Sequence, residues 1–234
     1  MGWSDWVCPM PSSIARALRE LLEVWPLLDG RPLLVAPLAS IVRLGAGFAI
    51  SLALGVLLGL AMWRWQELDR MLGPFFLGLQ TLPSVCWVPL AIIAFGINER
   101  GILFVLVMGS FFAIAIALRD GLRTIPPIYQ RAGLMLGASG WKLYRHVLLP
   151  ASLPAMAGSL RQGFSFAWRS LMGAEMLLLV RPHGLGSLLD ALRNVGNAGQ
   201  VVAVMLTMVI IGMGADRLVF APIQRRVSAR FGLS

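Results

Sequence analysis

The sequence predicts an all-α polytopic membrane protein, on the evidence of its composition and of five long apolar stretches. Of the 234 residues, 58% are hydrophobic and 13% are charged, whereas about 25% charged residues is usual for a soluble globular domain. A membrane-spanning helix needs about twenty mostly apolar residues. The five stretches that qualify are Leu33 to Met62, Met71 to Ile97, Gly101 to Leu118, Ala151 to Val180 and Gly199 to Ala221. A single domain of residues 33–234 with about five transmembrane helices is therefore expected.

The N-terminal segment, residues 1–32, is predicted to hold one amphipathic helix. Between Ser13 and Trp25, apolar residues recur at helical spacing opposite arginine and glutamate residues. Such a helix lies along the membrane interface or packs on neighbouring spans. Met1 to Met10 lacks the basic and apolar regions of a secretory signal, so the mature protein is expected to keep this segment.

The distribution of positive charge predicts the orientation of the spans. If the polar loop 119–150 is cytoplasmic, alternation of the spans places more of the Lys and Arg residues inside than outside. An excess of basic residues on the inside is the usual pattern in membrane proteins. The net charge of +9 is then explained by topology. A basic face with interleaved aromatic residues would indicate nucleic-acid binding, and none is recognisable, so no nucleic-acid partner is expected.

The loop from Arg119 to Pro150 has the chemistry of a small docking element. Ile128 to Leu136 and Trp141 to Leu148 are each predicted to form a short helix, and the glycines between them allow a turn with positive φ. Pro150 is expected to end this local structure before the next span. Two short helices joined by a tight turn fit a cleft on another protein, although an ordinary loop between spans remains the alternative.

The same loop carries a motif. Its order is Arg131-Ala132-Gly133, then Gly137, then Val147-x-Leu149-Pro150. This spacing is similar to E-A-A-x3-G-x9-I-x-L-P, the cytoplasmic coupling loop of ABC importer permeases. Further segments extend the resemblance, in order, to the permeases of the nitrate, sulfonate and taurine importer class. These segments are Leu82-Pro83, Phe95-Gly96-Ile97, Asp120-Gly121, Leu160-Arg161, Ala174-Glu175 and Gly184-Leu185-Gly186.

The resemblance implies a permease subunit with three kinds of protein partner in a bacterial inner membrane. They are ABC ATPase subunits, which carry ATP and Mg, a periplasmic or lipid-anchored solute-binding protein, and a second permease copy. The residues expected to couple to the ATPase are Arg131, Ala132, Gly133, Gly137, Ala138, Ser139, Val147, Leu149 and Pro150. Arg131 departs from the family pattern, which has an acidic residue there. The family's usual first span is also missing, which implies five spans and an outside N-terminus.

The chain itself is not expected to hydrolyse ATP or to hold a cofactor or metal. A P-loop requires G-x4-G-K-[ST], but Lys142 is the only lysine and stands between Trp141 and Leu143. A non-catalytic subunit that depends on a separate ATPase is therefore predicted.

The fourth predicted span carries candidate residues for the translocation pathway. Arg161, Trp168 and Glu175 recur every seven residues, so they share one stripe of a helix, with Arg169 on an adjacent face. Charges within a membrane are costly unless paired or hydrated. Compensation for Glu175 is expected from another span, from backbone donors or from a second protomer. The arginines within spans, Arg43, Arg161 and Arg169, favour a small organic or inorganic anion such as a sulfonate or nitrate.

Three further readings of the sequence remain open. Broken spans and intramembrane charges also suit a secondary transporter. Gly137-Ala138-Ser139-Gly140 contains the G-x-S-G of rhomboid-like intramembrane serine proteases, although Ser139 lies in a basic loop. The outer segment 180–200 is either a partly inserted helix near the entrance, where a solute-binding protein would dock, or a surface helix.

Overall fold

The computed structural model describes residues 35–196 and 198–230, and every regular element among them is helical. The amphipathic helix predicted between Ser13 and Trp25 lies outside the described residues. The α-helices are α1 (Val35–Arg64), α2 (Gln66–Thr81), α3 (Val88–Phe95), α4 (Glu99–Arg123), α5 (Pro127–Met135), α6 (Gly140–Leu143), α7 (Leu149–Leu177), α8 (Leu185–Val195), α9 (Ala198–Ala215) and α10 (Ala221–Arg230).

The helices that suit a bilayer confirm the all-α membrane fold. Among residues 35–196 and 198–230, three helices are long and apolar enough to cross a membrane, namely Ala36–Arg64, Glu99–Arg123 and Ala198–Val227. The pair formed by α2 and the segment Ser84–Phe95 would add a fourth. The fourth predicted span is helical as α7 but does not belong to this set. The count of five spans therefore stays a prediction.

The second predicted span is bent rather than straight. Met71 to Ile97 is predicted as one span interrupted by prolines, and in the structure α2 ends at Thr81 and the chain turns by 102° before Ser84–Phe95. Pro83 explains the break, because a proline disfavours helical backbone in the residue before it. Leu82 accordingly adopts φ −67° and ψ 127°. The break divides this span into two helical halves.

Two π-helical turns allow prolines to continue helices that they would otherwise interrupt. The π-helices are Tyr144–Leu148 and Asp216–Phe220, and a proline follows two residues after each, at Pro150 and Pro222. A proline ring clashes with the carbonyl four residues earlier in a regular α-helix, and in both cases that carbonyl lies in the wider π turn. The expectation that Pro150 ends local structure is therefore wrong, since α7 begins at Leu149 without a break.

The described chain forms two compact units. The first unit contains Pro83–Met108, Ala167–Gly214 and the described residues up to Phe48. Its core joins the end of α7 to α8 and α9, with Trp168 and Met172 packed against buried residues of those two helices. The buried residues are Leu185, Leu188, Leu192, Ala203, Val204 and Met208.

The second unit contains Ala49–Leu82, Gly109–Phe166 and the described residues from Ala215 onward. Here α1 and α4 approach closely because α1 has glycines at the contact. A Cβ on Gly55 would lie 3.1 Å from the Phe111 carbonyl oxygen, and one on Gly59 would lie 2.8 Å from that of Ala115. These glycines, whose spacing is a weak signal for a helix dimer, serve packing within the chain.

Candidate functional site

The predicted coupling loop folds as two short helices joined by a glycine turn, here called the helical hairpin (residues 127–148). Its first helix, α5, begins with Pro127, whose missing N–H costs nothing at a helix start. At its end, Ala138 N donates to Gly133 O at 2.9 Å and Gly137 N donates to Leu134 O at 3.0 Å. This is the Schellman pattern, which needs a left-handed residue after the helix. Gly137 supplies it with φ +80°, as predicted from the sequence.

Gly133 brings the two halves of the hairpin together. A Cβ at this position would collide with the Leu143 side chain and lie 3.1 Å from Val147 Cγ2. Leu143 is 7% exposed, so the contact forms the small core of the hairpin. Gly133 and Val147 therefore have a packing role within the hairpin.

One side of α5 in the hairpin is apolar and exposed. Met135 is 90% exposed and Leu136 is 87% exposed, and Ile128 and Tyr129 at the start of α5 are exposed as well. Clustered apolar side chains on a surface usually mark a contact site. Of the predicted coupling residues, Arg131, Ala132 and Ser139 also lie on the surface, while Val147, Leu149 and Pro150 are half-buried near the start of α7.

An ion-pair network that sequence reasoning missed lies before the hairpin. Asp69 of α2 accepts from Arg119 Nη1 at 2.9 Å and from Arg123 Nη2 at 2.6 Å. Gly73 leaves room for it, because a Cβ there would lie 2.7 Å from Arg119 Nη1. Since Arg119 and Arg123 are four residues apart on α4, their shared face was the available signal. The network ties the first turn of α2 to the end of α4.

A second polar cluster lies in the first unit around Glu175, whose side chain is fully buried. Its carboxylate accepts from Arg43 Nη1 at 2.9 Å, from Ser40 Oγ at 2.8 Å and from Gly186 N at 3.1 Å. Arg43 and Ser40 belong to α1, and Gly186 lies at the start of α8. Compensation from another span and from backbone donors was expected, and both are present.

Glu175 sits at the N-terminal end of α8. Besides the direct bond from Gly186, the Leu185 N–H donates to Ser40 Oγ at 3.0 Å, and this hydroxyl in turn donates to Glu175. Negative charge is stabilised at a helix N-terminus, where backbone N–H groups have no helical partner. The cluster thus fixes the start of α8 to α1 and α7.

The glycines of the Gly184-Leu185-Gly186 motif make this contact possible. A Cβ on Gly184 would overlap the Glu175 carboxylate, and one on Gly186 would lie 2.5 Å from Met172 O and 2.8 Å from Glu175 Cβ. The atoms around Gly186 belong mostly to the backbone of α7, which cannot move aside easily. The outer segment is therefore a packed helix whose start is seated on α7.

Arg43 binds two carboxylates at once. Its Nε donates to Glu99 Oε2 at 2.8 Å, its Nη1 donates to Glu175, and its Nη2 donates to Glu99 and to Pro182 O at 2.7 Å. Arg43 is 6% exposed, whereas the Glu99 side chain is 45% exposed. The charge of Arg43 is therefore neutralised within the protein.

The remaining pathway candidates on α7 have different surroundings. Arg161 donates to both Asp216 oxygens, at 2.7 and 2.8 Å, and to Gln224 Oε1 at 3.1 Å. The Trp168 indole packs in the core of the first unit, where a Cβ on Gly212 would lie 3.2 Å from its Nε1. Arg169 is exposed. Arg161, Trp168 and Glu175 lie along one stripe of α7, as predicted, but each of them contacts different residues.

A family model and several known proteins are similar in sequence to this chain. Residues 51–228 match the family model described as "Binding-protein-dependent transport system inner membrane component". The chain is 32% identical over 178 residues to an inferred ABC transporter permease protein of Methanocaldococcus jannaschii, an alignment that covers 76% of this chain and 66% of that protein.

Two cyanobacterial relatives are named for the anions they serve. The chain is 28% identical over 205 residues to the bicarbonate transport system permease protein CmpB of Synechococcus elongatus, covering 86% of this chain and 73% of that protein. It is 27% identical over 185 residues to the nitrate import permease protein NrtB of a Synechocystis species, covering 77% and 65%.

One solved structure extends the likeness to the fold. The crystal structure of an amino acid ABC transporter with histidines contains a chain that superposes with a TM-score of 0.68 at 15% identity, covering 82% of this chain and 92% of that one. At this identity the likeness shows a shared fold.

Proposed function

Since this chain belongs to the family of binding-protein-dependent transport system inner membrane components, we propose that it forms the solute pathway of an ATP-driven importer whose ATPase is a separate subunit. Its role as a non-catalytic ABC importer permease of the nitrate class follows from the family and the named relatives. The resemblance recognised in the sequence is thereby confirmed. Neither the protease nor the secondary transporter is retained.

The helical hairpin is the element that carries the proposal. Its exposed apolar side, formed by Ile128, Tyr129, Met135 and Leu136, is the surface on which the ATPase docks. The Schellman turn and the Gly133 contact make the hairpin stiff enough to transmit a movement. Because α7 follows the hairpin without a break, movement of the ATPase reaches the membrane through one helical chain.

The assembly contains two copies of this permease, two ATPase subunits and an external solute-binding protein in the inner membrane of a bacterial cell. A closed two-fold dimer is the commonest oligomer, and a path between two copies suits a chain with few spans. Glu175, Trp168, Arg169 and Arg161 are assigned to the pathway or its gate. The role assigned to Glu175 is to hold the start of α8 in place through its carboxylate.

The solute is a small anion, such as a nitrate, bicarbonate or sulfonate. This proposal is supported by the names of the relatives, which are 27% and 28% identical. It draws no support from Arg43 or Arg161, whose charges are paired with carboxylates of the same chain.

The experiment that tests the proposal replaces two exposed apolar side chains of the hairpin with charged ones. In a Met135→Glu/Leu136→Glu double variant the free permease should fold normally, because both side chains are almost fully exposed. Binding of the ATPase should weaken by about 30-fold or more, since loss of a central apolar contact costs about 2 kcal/mol. The measurements are ATPase copurification and ATP turnover stimulated by solute-loaded binding protein.

A matched control uses the same helix. Gln130→Glu adds one negative charge to an exposed position of α5 on a different helix face, and it should leave both readouts near the wild-type level. If the double variant binds the ATPase and supports stimulated turnover like the wild type, the hairpin is not the docking element.

A further inference from the structure

An apolar cavity of about 270 Å³ lies within the second unit, among α1, α4, α7 and α10. Each helix contributes apolar side chains to its wall, and Ser159 is the single polar residue in the lining. Its wall includes Leu52, Leu118, Leu153, Ala157, Ile223 and Val227. None of these residues belongs to the hairpin or to the cluster around Glu175.

The cavity has the size and chemistry of a site for a hydrocarbon chain. An apolar cavity of about 150 Å³ already holds benzene and excludes water, so this larger one accommodates a longer apolar group. It is open to the surface, because Leu153 and Ile223 in its wall remain 36% and 38% exposed. A small hydrophilic anion would find almost no hydrogen-bond partner there. The cavity therefore suits a ligand other than the proposed solute.

Position favours a membrane lipid as the occupant. The helices that contribute Leu52, Leu118 and Val227 are the three that are long and apolar enough to span a bilayer. The cavity involves residues near the C-terminal end of two of those spans, Leu118 of Glu99–Arg123 and Val227 of Ala198–Val227. Acyl chains are the apolar groups available at this depth.

Charge indicates which lipid. Arg225 and Arg226 are exposed on α10, between the lining residues Ile223 and Val227. Arg226 is three residues beyond Ile223, so the two lie on neighbouring parts of one helix face. Basic residues at the cytoplasmic ends of spans attract anionic lipid headgroups. Arg225 is two residues from both Ile223 and Val227 and so lies on the opposite face of the helix. An apolar cavity with Arg226 beside it is complementary to both parts of an anionic phospholipid.

We propose that this cavity binds one acyl chain of an anionic membrane phospholipid, whose phosphate is held by Arg226. The bound chain fills space that would otherwise lack packing partners. It links the last helix to α1, α4 and α7. The permease thereby carries a structural lipid in the second unit.

The test measures lipid retention by the full-length protein using native mass spectrometry. Purified permease is titrated with phosphatidylglycerol and, separately, with phosphatidylcholine of the same acyl composition. The wild type should retain one phosphatidylglycerol molecule in preference to phosphatidylcholine. Arg226→Gln should weaken retention by about fivefold, since each basic residue near an anionic headgroup contributes about 1 kcal/mol and 1.4 kcal/mol is a factor of ten. Arg217→Gln, which removes the same charge from an exposed position earlier in the segment, should change it by less than about threefold.

A second variant probes the cavity itself. Ala157→Phe places a ring in the space and should abolish retention of phosphatidylglycerol while the protein keeps its oligomeric state. Equal retention of both lipids by the wild type would overturn the headgroup assignment. Unchanged retention in Ala157→Phe would overturn the acyl-chain assignment, and dissociation into monomers in that variant would show that a second copy of the chain fills the cavity. The readout is lipid binding, so it stands whether or not the hairpin couples to an ATPase.

Discussion

Replacing Glu175 with glutamine should destabilise the protein strongly, because the carboxylate receives donors on both oxygens. Oε1 accepts from Arg43, Oε2 accepts from Gly186 N, and Ser40 Oγ donates between them. A glutamine keeps one acceptor and places an NH2 group where the other oxygen was. In either orientation that NH2 faces an N–H donor. The Ser40 hydroxyl accepts from Leu185 N and has one lone pair left for the NH2 group, but the N–H donor that faced the lost oxygen is left without an acceptor.

The size of the effect follows from burial. An unsatisfied buried donor costs about 1–3 kcal/mol, and separating a buried ion pair costs about 3–5 kcal/mol when one partner is removed. Because glutamine still accepts one hydrogen bond, we expect a loss of about 3 kcal/mol in the free energy of unfolding. The loss should appear in titration of purified protein with SDS in mixed micelles, together with a lower temperature of thermal aggregation.

Glu99→Gln is the matched control, because it makes the same chemical change on the other carboxylate bound by Arg43. The Glu99 side chain is 45% exposed, so water can replace the lost interaction, and ion pairs at such positions contribute about 0–1 kcal/mol. If Glu175→Gln costs no more than Glu99→Gln, the buried carboxylate does not stabilise the fold and the interpretation of the cluster is wrong.

Two smaller predictions concern the other close contacts. Gly186→Ala should lower the free energy of unfolding by about 2 kcal/mol, because the new Cβ meets backbone atoms of α7 and overpacking costs about 1–3 kcal/mol. Gly45→Ala is the control: a Cβ there has open space around it, so it should be neutral or slightly stabilising. Equal effects of the two substitutions would refute the packing argument. Asp69→Asn should lower the free energy of unfolding by about 1.5 kcal/mol in the same titration. Hydrogen bonds to charged groups contribute about 1.5–3 kcal/mol, and the asparagine keeps one acceptor oxygen. Glu67→Gln, which breaks an exposed pair with Arg70, should cost less than about 0.5 kcal/mol, and a larger loss there than at Asp69 would contradict the assigned roles.

Features set by neighbouring residues could be predicted from the sequence. The apolar stretches gave the positions of the long helices, because burial in a bilayer imposes the same requirement on every residue of a span. In the hairpin, Gly137 was assigned a positive φ from its place after a short helix, and the structure gives φ +80°. Local chemistry determined both outcomes. Neither required knowledge of which segments meet in space.

Features that join distant segments could not be predicted in the same way. Glu175 was identified as a charge that needs compensation, but its partners Ser40 and Arg43 are 135 and 132 residues away. Nothing in the local pattern distinguishes Arg43 from another basic residue as the partner. Pro150 shows the converse failure, since its usual effect on a helix was overridden by the π turn before it. Sequence patterns thus revealed the need for a contact more readily than the contact itself.

The paired arginines change the argument about which solute is carried. Three arginines within the spans favoured an anion when only the sequence was considered, because an unpaired positive charge attracts one. Arg43 is bound to Glu99 and Glu175, and Arg161 is bound to both oxygens of Asp216, so neither presents a free positive charge. Substitution of either arginine would mainly destabilise the fold, and its effect on solute selectivity would be secondary. A path selective for the proposed anion must therefore use groups other than Arg43 and Arg161, such as backbone N–H dipoles.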